Sequence, residues 1–250
     1  MTDTCYRDFV IGLESVEDSY IRELRRKSTR DERSKPRQII DSFKDFVNKL
    51  TAELSRFIDR TKESVVMNFR KAAVKHDVRN MLKAADEKFG KGTNGITIEC
   101  PDLGRYATEV QNASEKVWKV ADNIFNKTYV DIDQMNRDMA TFERTIDKAW
   151  EDISIATDRT TIMPIEKFRD ICMNEIKGDS IVSRVISDSI HKMKKSEINL
   201  KYLEKRMDSM DKNRIVPKRL NMAQRVIARI AKFCGDIWKN FLKMACFLTS

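Results

Sequence analysis

Glycine and proline are scarce in this chain, seven and four among 250 residues, where average usage is about 7% and 5%. That scarcity excludes turn-rich sandwiches and barrels, and folds built on Gly-rich loops. Histidine is rarer still, with two residues more than a hundred positions apart, His76 and His191. The five cysteines (Cys5, Cys100, Cys172, Cys234, Cys246) form no C-x-x-C pair. A scattered, odd set of thiols fits a reducing compartment better than a disulfide framework. No apolar run reaches the roughly 18 residues of a membrane span. The first turns, with Asp3, Arg7 and Asp8, have no signal-peptide character, so the expected location is cytoplasmic. Asn112-Ala113-Ser114 and Asn126-Lys127-Thr128 then match the glycosylation pattern by chance.

What is present is charge and helical period. Charged residues make up 35% of the chain and the net charge is +9. From Ile39 to His76 an apolar stripe (Phe43, Phe46, Leu50, Leu54, Phe57, Thr61, Val65, Phe69) recurs about every 3.7 residues. A second stripe runs from Leu103 to Met163 at about 3.5 residues per step, coiled-coil spacing, with one stutter at Ile124, Thr128 and Ile132. Read as a single helix it would be roughly 90 Å long. A third region begins near Asp179 and continues through Val182, Met193 and Met210 to a break at Pro217. Leu220, Ala223, Ile227, Ile230, Cys234, Ile237, Phe241, Met244 and Leu248 then alternate steps of three and four. Phe9, Leu13, Val16, Tyr20 and Leu24 form a shorter stripe near the start. The only strand candidate is Ile96-Thr97-Ile98. The expected fold is all-α: an elongated antiparallel bundle of three long helices with coiled-coil character, spanning residues 37–250, preceded by a short amphipathic helix and charged linker over 1–36.

Catalytic material is thin. Gly90-Lys91-Gly92-Thr93-Asn94-Gly95 fits G-x-G-x-x-G. However, a helical pattern precedes it and an extended stretch follows, the reverse of a dinucleotide site, so it is expected to be a helix stop and turn. His76 lies on an apolar stripe as a packing residue. The carboxylates are interleaved with Lys and Arg at ion-pair spacing. No catalytic, metal or cofactor site is expected, and no enzyme.

Charge placement carries the functional expectation. Within 217–250, Lys218, Arg219, Arg225, Arg229, Lys232, Lys239 and Lys243 face a single acid, Asp236. A cationic amphipathic helix with Phe233, Trp238, Phe241 and Phe247 opposite suits an anionic lipid surface. The same apolar face also suits one wall of the bundle, and both readings stay open. A second basic concentration comprises Arg184, Lys192, Lys194, Lys195, Lys201, Lys205 and Arg206.

Three long helices with a glycine loop after the first and a basic third resemble a BAR domain. Ile162-Met163-Pro164-Ile165-Glu166-Lys167-Phe168 is similar to the segment where that family's second helix bends. Lys205-Arg206-Met207-Asp208-Ser209-Met210-Asp211-Lys212 resembles its basic pair and spaced aspartates, without the aromatic between them. The resemblance implies a crescent homodimer that binds anionic membranes and senses or shapes curvature. The expected function is thus a non-enzymatic peripheral membrane scaffold using both basic sets. The alternatives are a basic helical nucleic-acid binder, or a coiled-coil scaffold for protein partners.

Overall fold

The computed structural model describes residues 2–30, 36–74, 97–129, 131–177, 180–206 and 215–246. Helix accounts for 89% of the interpretable residues. In chain order the elements are α1 (Thr2–Arg30), α2 (Pro36–Val74), β1 (Thr97–Pro101), α3 (Leu103–Asn126), α4 (Ile132–Thr157), β2 (Thr160–Pro164), α5 (Ile165–Lys177), α6 (Ile181–Arg206) and α7 (Ile215–Ala245). Both α2 and α7 carry proline within their first turn, where a missing N–H is tolerated. The G-x-G-x-x-G stretch, His76 and residues 207–212 lie outside the described residues.

The helical class holds, but the second stripe is not one long helix. It folds back on itself as an α3–α4 hairpin, and the stutter marks the turn. Asp131 caps α4, its carboxylate accepting from the Gln134 N–H at 2.6 Å. Lys127 Nζ and the Tyr129 hydroxyl both donate to Asp138, at 2.7 and 2.8 Å, and tie the turn to α4. At the open end of the hairpin, β1 pairs antiparallel with β2, Ile98 opposite Met163 and Cys100 opposite Thr161. Ile162-Met163-Pro164, expected as a bend within a helix, is therefore strand, and α5 starts directly after it. The strand candidate at Ile96-Thr97-Ile98 corresponds to β1 and extends to Pro101.

Helix α7 is the hub. It packs against α1, α2, α3, α4 and α6, and those five contact one another in the order α1–α2–α6–α3–α4. The ring is open between α4 and α1. Two long-range registers fix directions: Arg225 and Arg229 meet Glu143 and Asp147, so α4 runs parallel to α7, while Asp3 meets Lys239 and Tyr6 meets Asp236, so α1 runs antiparallel. Phe43, Phe46, Leu50, Leu54 and Phe57 of the α2 stripe are buried as their period requires. Residues 1–36 contribute Phe9, Leu13 and Tyr20 to the same hydrophobic core. Phe9 stacks on Phe57 with ring centroids 4.8 Å apart. It reaches that position because Gly235 lacks a side chain: a Cβ there would lie 2.2 Å from the Phe9 ring.

Candidate functional site

The two basic sets have different fates. Between Lys218 and Ala245, only positions 218, 221, 225, 229, 232, 236, 239, 240 and 243 of α7 escape full burial. They form one narrow stripe that surfaces in the gap between α4 and α1. The opposite face is core: Trp238 and Phe241 are 0% exposed and Phe233 is 4% exposed. Trp238 Nε1 donates to Thr61 Oγ1 of α2 at 2.7 Å, and the Tyr106 hydroxyl of α3 donates to the Ile237 carbonyl at 2.5 Å. Of the two roles open to this helix, the bundle wall is the one it occupies.

The stripe's cations are met by carboxylates from both sides of the gap. Arg225 pairs with Glu143 at 2.6 Å, Arg229 with Asp147 at 3.4 Å, and Lys239 with Asp3 at 3.6 Å while lying 4.0 Å over the Tyr6 ring. Lys232 acts on Glu17 and Asp236. Burial raises the pKa of Asp236, opposed by the Tyr6 hydrogen bond and by Lys232, Lys239 and Arg229. Burial and the bond to Asp236 in turn raise that of Tyr6. Lys218 and Lys243 are exposed.

Arg219 is a correction: it is 6% exposed and presents no charge to a surface. Its guanidinium donates to the Ile124 and Phe125 carbonyls, at 3.2 and 3.1 Å, and lies 4.8 Å over the Tyr129 ring. Those carbonyls belong to the last turn of α3, which has no intrahelical donors left for them. A cation placed there also meets the negative end of the helix. Burial pulls the Arg219 pKa down to about 10, so it stays charged at neutral pH. Around it, burial disfavours the Asp138 carboxylate, but the bonds from Lys127 and Tyr129 outweigh that and hold its pKa below the usual range.

Helix α6 differs. Its buried face (Val182, Ile186, Ser189, Met193, Ser196) turns inward, and Arg184, Lys192, Lys194 and Lys195 are exposed with no ion pair among the described residues. The helix also carries Lys201, Lys205 and Arg206, whose side chains lie outside the described residues. Against α3 it forms a half-open surface cavity of about 170 Å³. Gln111, Ser114, Glu115 and Trp118 line it from α3; Arg184, Asp188, Ser189 and Lys192 line it from α6. Trp118 Nε1 donates to Ser189 Oγ at 2.9 Å, with Lys192 Nζ 5.4 Å over the indole. Behind Ser189, burial pushes the Cys234 thiol up to about 12, far from a nucleophilic thiolate. All five cysteines are free.

The concentration of basic residues in the sequence found the α6 cations but not the cavity, whose signal was a polar pair, Ser114 and Ser189, on otherwise buried faces. Among the described residues, no helix is long and apolar enough to cross a membrane, and no cluster of His, Cys, Asp and Glu is arranged to hold a metal ion. No known protein family, curated protein or solved structure matches the chain.

Proposed function

We propose that the protein is a non-enzymatic helical scaffold that binds anionic phospholipid surfaces from the cytoplasm, and that α6 is the helix that faces them. One observation carries this reading: on α6 Arg184, Lys192, Lys194 and Lys195 are exposed without an ion pair among the described residues, whereas on α7 Arg225, Arg229 and Lys239 are paired with α4 and α1 and Arg219 is buried. A basic residue near an anionic bilayer contributes about 1 kcal/mol. Arg184, Lys192, Lys194 and Lys195 together then give about 4 kcal/mol, a roughly millimolar affinity. Stable attachment needs more, either from the remaining cations of α6 or from two copies bound at once. A homodimer, which the resemblance to the BAR family also implies, supplies the second. Single-stranded nucleic acid is read by aromatics exposed beside cations. Here Trp118, Tyr106 and Trp238 are buried, which favours the lipid surface.

The test is flotation with phosphatidylglycerol-containing vesicles, beside a gel shift with mixed-sequence RNA and DNA. Changing Arg184, Lys192, Lys194 and Lys195 to Glu should abolish flotation, and salt should weaken the unmodified protein, since screening acts within about 10 Å at 0.1 M. Undiminished flotation of the reversed protein, or a gel shift without flotation, overturns the reading.

A further inference from the structure

The cavity between α3 and α6 is lined by charges of both signs in equal number, Arg184 and Lys192 against Glu115 and Asp188. Along α6, Arg184, Asp188 and Lys192 follow one another a turn apart, so cation, anion and cation alternate at about 6 Å. No ion pair joins them. Glu115 accepts only the Gln111 amide, at 3.2 Å and on the exposed side. Ser114, 7% exposed as a residue, lines the same cleft, and its hydroxyl has no hydrogen-bond partner among the described residues. A simple anion entering this cavity meets two carboxylates, and a simple cation meets Arg184 and Lys192. The chemistry that satisfies both signs is a zwitterion with its charges several ångströms apart.

We infer that this cavity binds a phosphate ester bearing a primary ammonium, the phosphoethanolamine group, with the phosphate between Arg184, Lys192 and the Ser114 hydroxyl and the ammonium on Glu115 and Asp188. The ammonium is primary because carboxylates reward N–H donors. A quaternary one would need an open aromatic face, and Lys192 already covers Trp118. The group comes either free or as a lipid headgroup. In the second case the inference rests on the membrane role of α6 and adds headgroup selectivity to it.

The free form is tested by titrating the full-length protein with O-phosphorylethanolamine while following the Trp118 indole N–H resonance, since that proton sits on the cavity wall. A saturating shift in the millimolar range is expected, at least tenfold weaker with phosphocholine or inorganic phosphate. Ser114→Leu, which fills the cavity, and Arg184→Ala, an exposed change that spares the fold, should each abolish it. No shift, or an equal shift with inorganic phosphate, overturns the inference. Vesicles of fixed phosphatidylglycerol content, completed with phosphatidylethanolamine or with phosphatidylcholine, separate the sources. Preference for the ethanolamine vesicles, lost in Arg184→Ala, identifies the headgroup. Titration without any flotation leaves a free ligand and removes the membrane role. Equal flotation on both vesicles with no titration keeps the membrane role and removes this site.

Discussion

Replacing Trp238 by alanine distinguishes a helix that packs from one that inserts into lipid. The indole is fully buried, hydrogen-bonded to Thr61 at 2.7 Å, and has Lys62 Nζ 5.8 Å from its ring. Truncating a buried aromatic costs about 3–5 kcal/mol. The hydrogen bond is included at about 1 kcal/mol, because Thr61 keeps its own donation to the Phe57 carbonyl at 2.7 Å and leaves no orphaned donor. Against a total stability of about 5–15 kcal/mol, the loss is large. With a urea m-value of about 3 kcal/mol/M, the unfolding midpoint should fall by roughly 1–1.7 M. Trp238→Phe should lose less, about 1–2 kcal/mol, since it retains most of the packing. A double-mutant cycle with Thr61→Val should return a coupling near 1 kcal/mol. Urea titrations followed by far-UV circular dichroism provide these numbers, with vesicle flotation run on the same samples. An unchanged midpoint together with lost flotation would refute the packing argument and return Trp238 to the membrane.

Three other outcomes follow from the hub arrangement. Gly235→Ala should destabilise the protein even though alanine is the better helix former by about 1 kcal/mol, because its Cβ would strike the Phe9 ring; the paired change with Phe9→Leu should recover part of the loss in thermal melts. Arg225→Glu should lower stability by about 1 kcal/mol by facing Glu143 with a like charge, and the swap with Glu143→Arg should restore it. Above pH 10 stability should fall steeply. Burial raises the pKa of Tyr6, Tyr20 and Tyr129, so their protons are held in the fold and released on unfolding. Burial acts in the opposite sense on Arg219, lowering its pKa, so it offsets part of that loss. Tyrosinate absorbance should therefore appear with unfolding; titration of all three within a still-folded chain would refute this.

Much of the fold is legible along the chain and less of it across the chain. The stripes predict Phe43, Leu50, Tyr106, Val110, Phe142 and Ile153 as core, and all are buried, because a 3.6-residue period is a property of one segment. The α3–α4 reversal is written as a stutter, two adjacent four-residue steps, which a coiled coil tolerates and a turn also produces. What separates them is local chemistry: Asp131 as an N-cap, and Lys127 and Tyr129 reaching back to Asp138. The close approach of Phe9 to Gly235 joins residues more than two hundred positions apart, so no local pattern announces it. For the candidate site, the exposed cations of α6 were visible as residue types. The α3 half of the cavity was not, since Ser114 and Trp118 lie beside the apolar stripe and carry no charge pattern of their own.

The charge on α7 illustrates why composition of a segment is a weak guide to its surface. Counted in sequence, 217–250 is the most basic stretch of the chain, with one acid among seven cations. Counted in space, its stripe lies between Asp3 and Glu17 on one side and Glu143 and Asp147 on the other. Ion pairs at this exposure are worth only about 0.2–1 kcal/mol each, so they add little to a helix already held by Trp238, Phe241 and Ile237. Their value is in register. Arg225 to Glu143 and Arg229 to Asp147 share one sequence offset, and Trp150 meets Phe233 one residue further along. Sliding α4 by one turn against α7 would set Arg229 against Glu143 and leave Arg225 and Asp147 without these partners. A basic stripe that reads as an invitation to an external polyanion thus serves to align a parallel helix pair, and the search for a ligand moves to α6, where Arg184, Lys192, Lys194 and Lys195 have no such partner among the described residues.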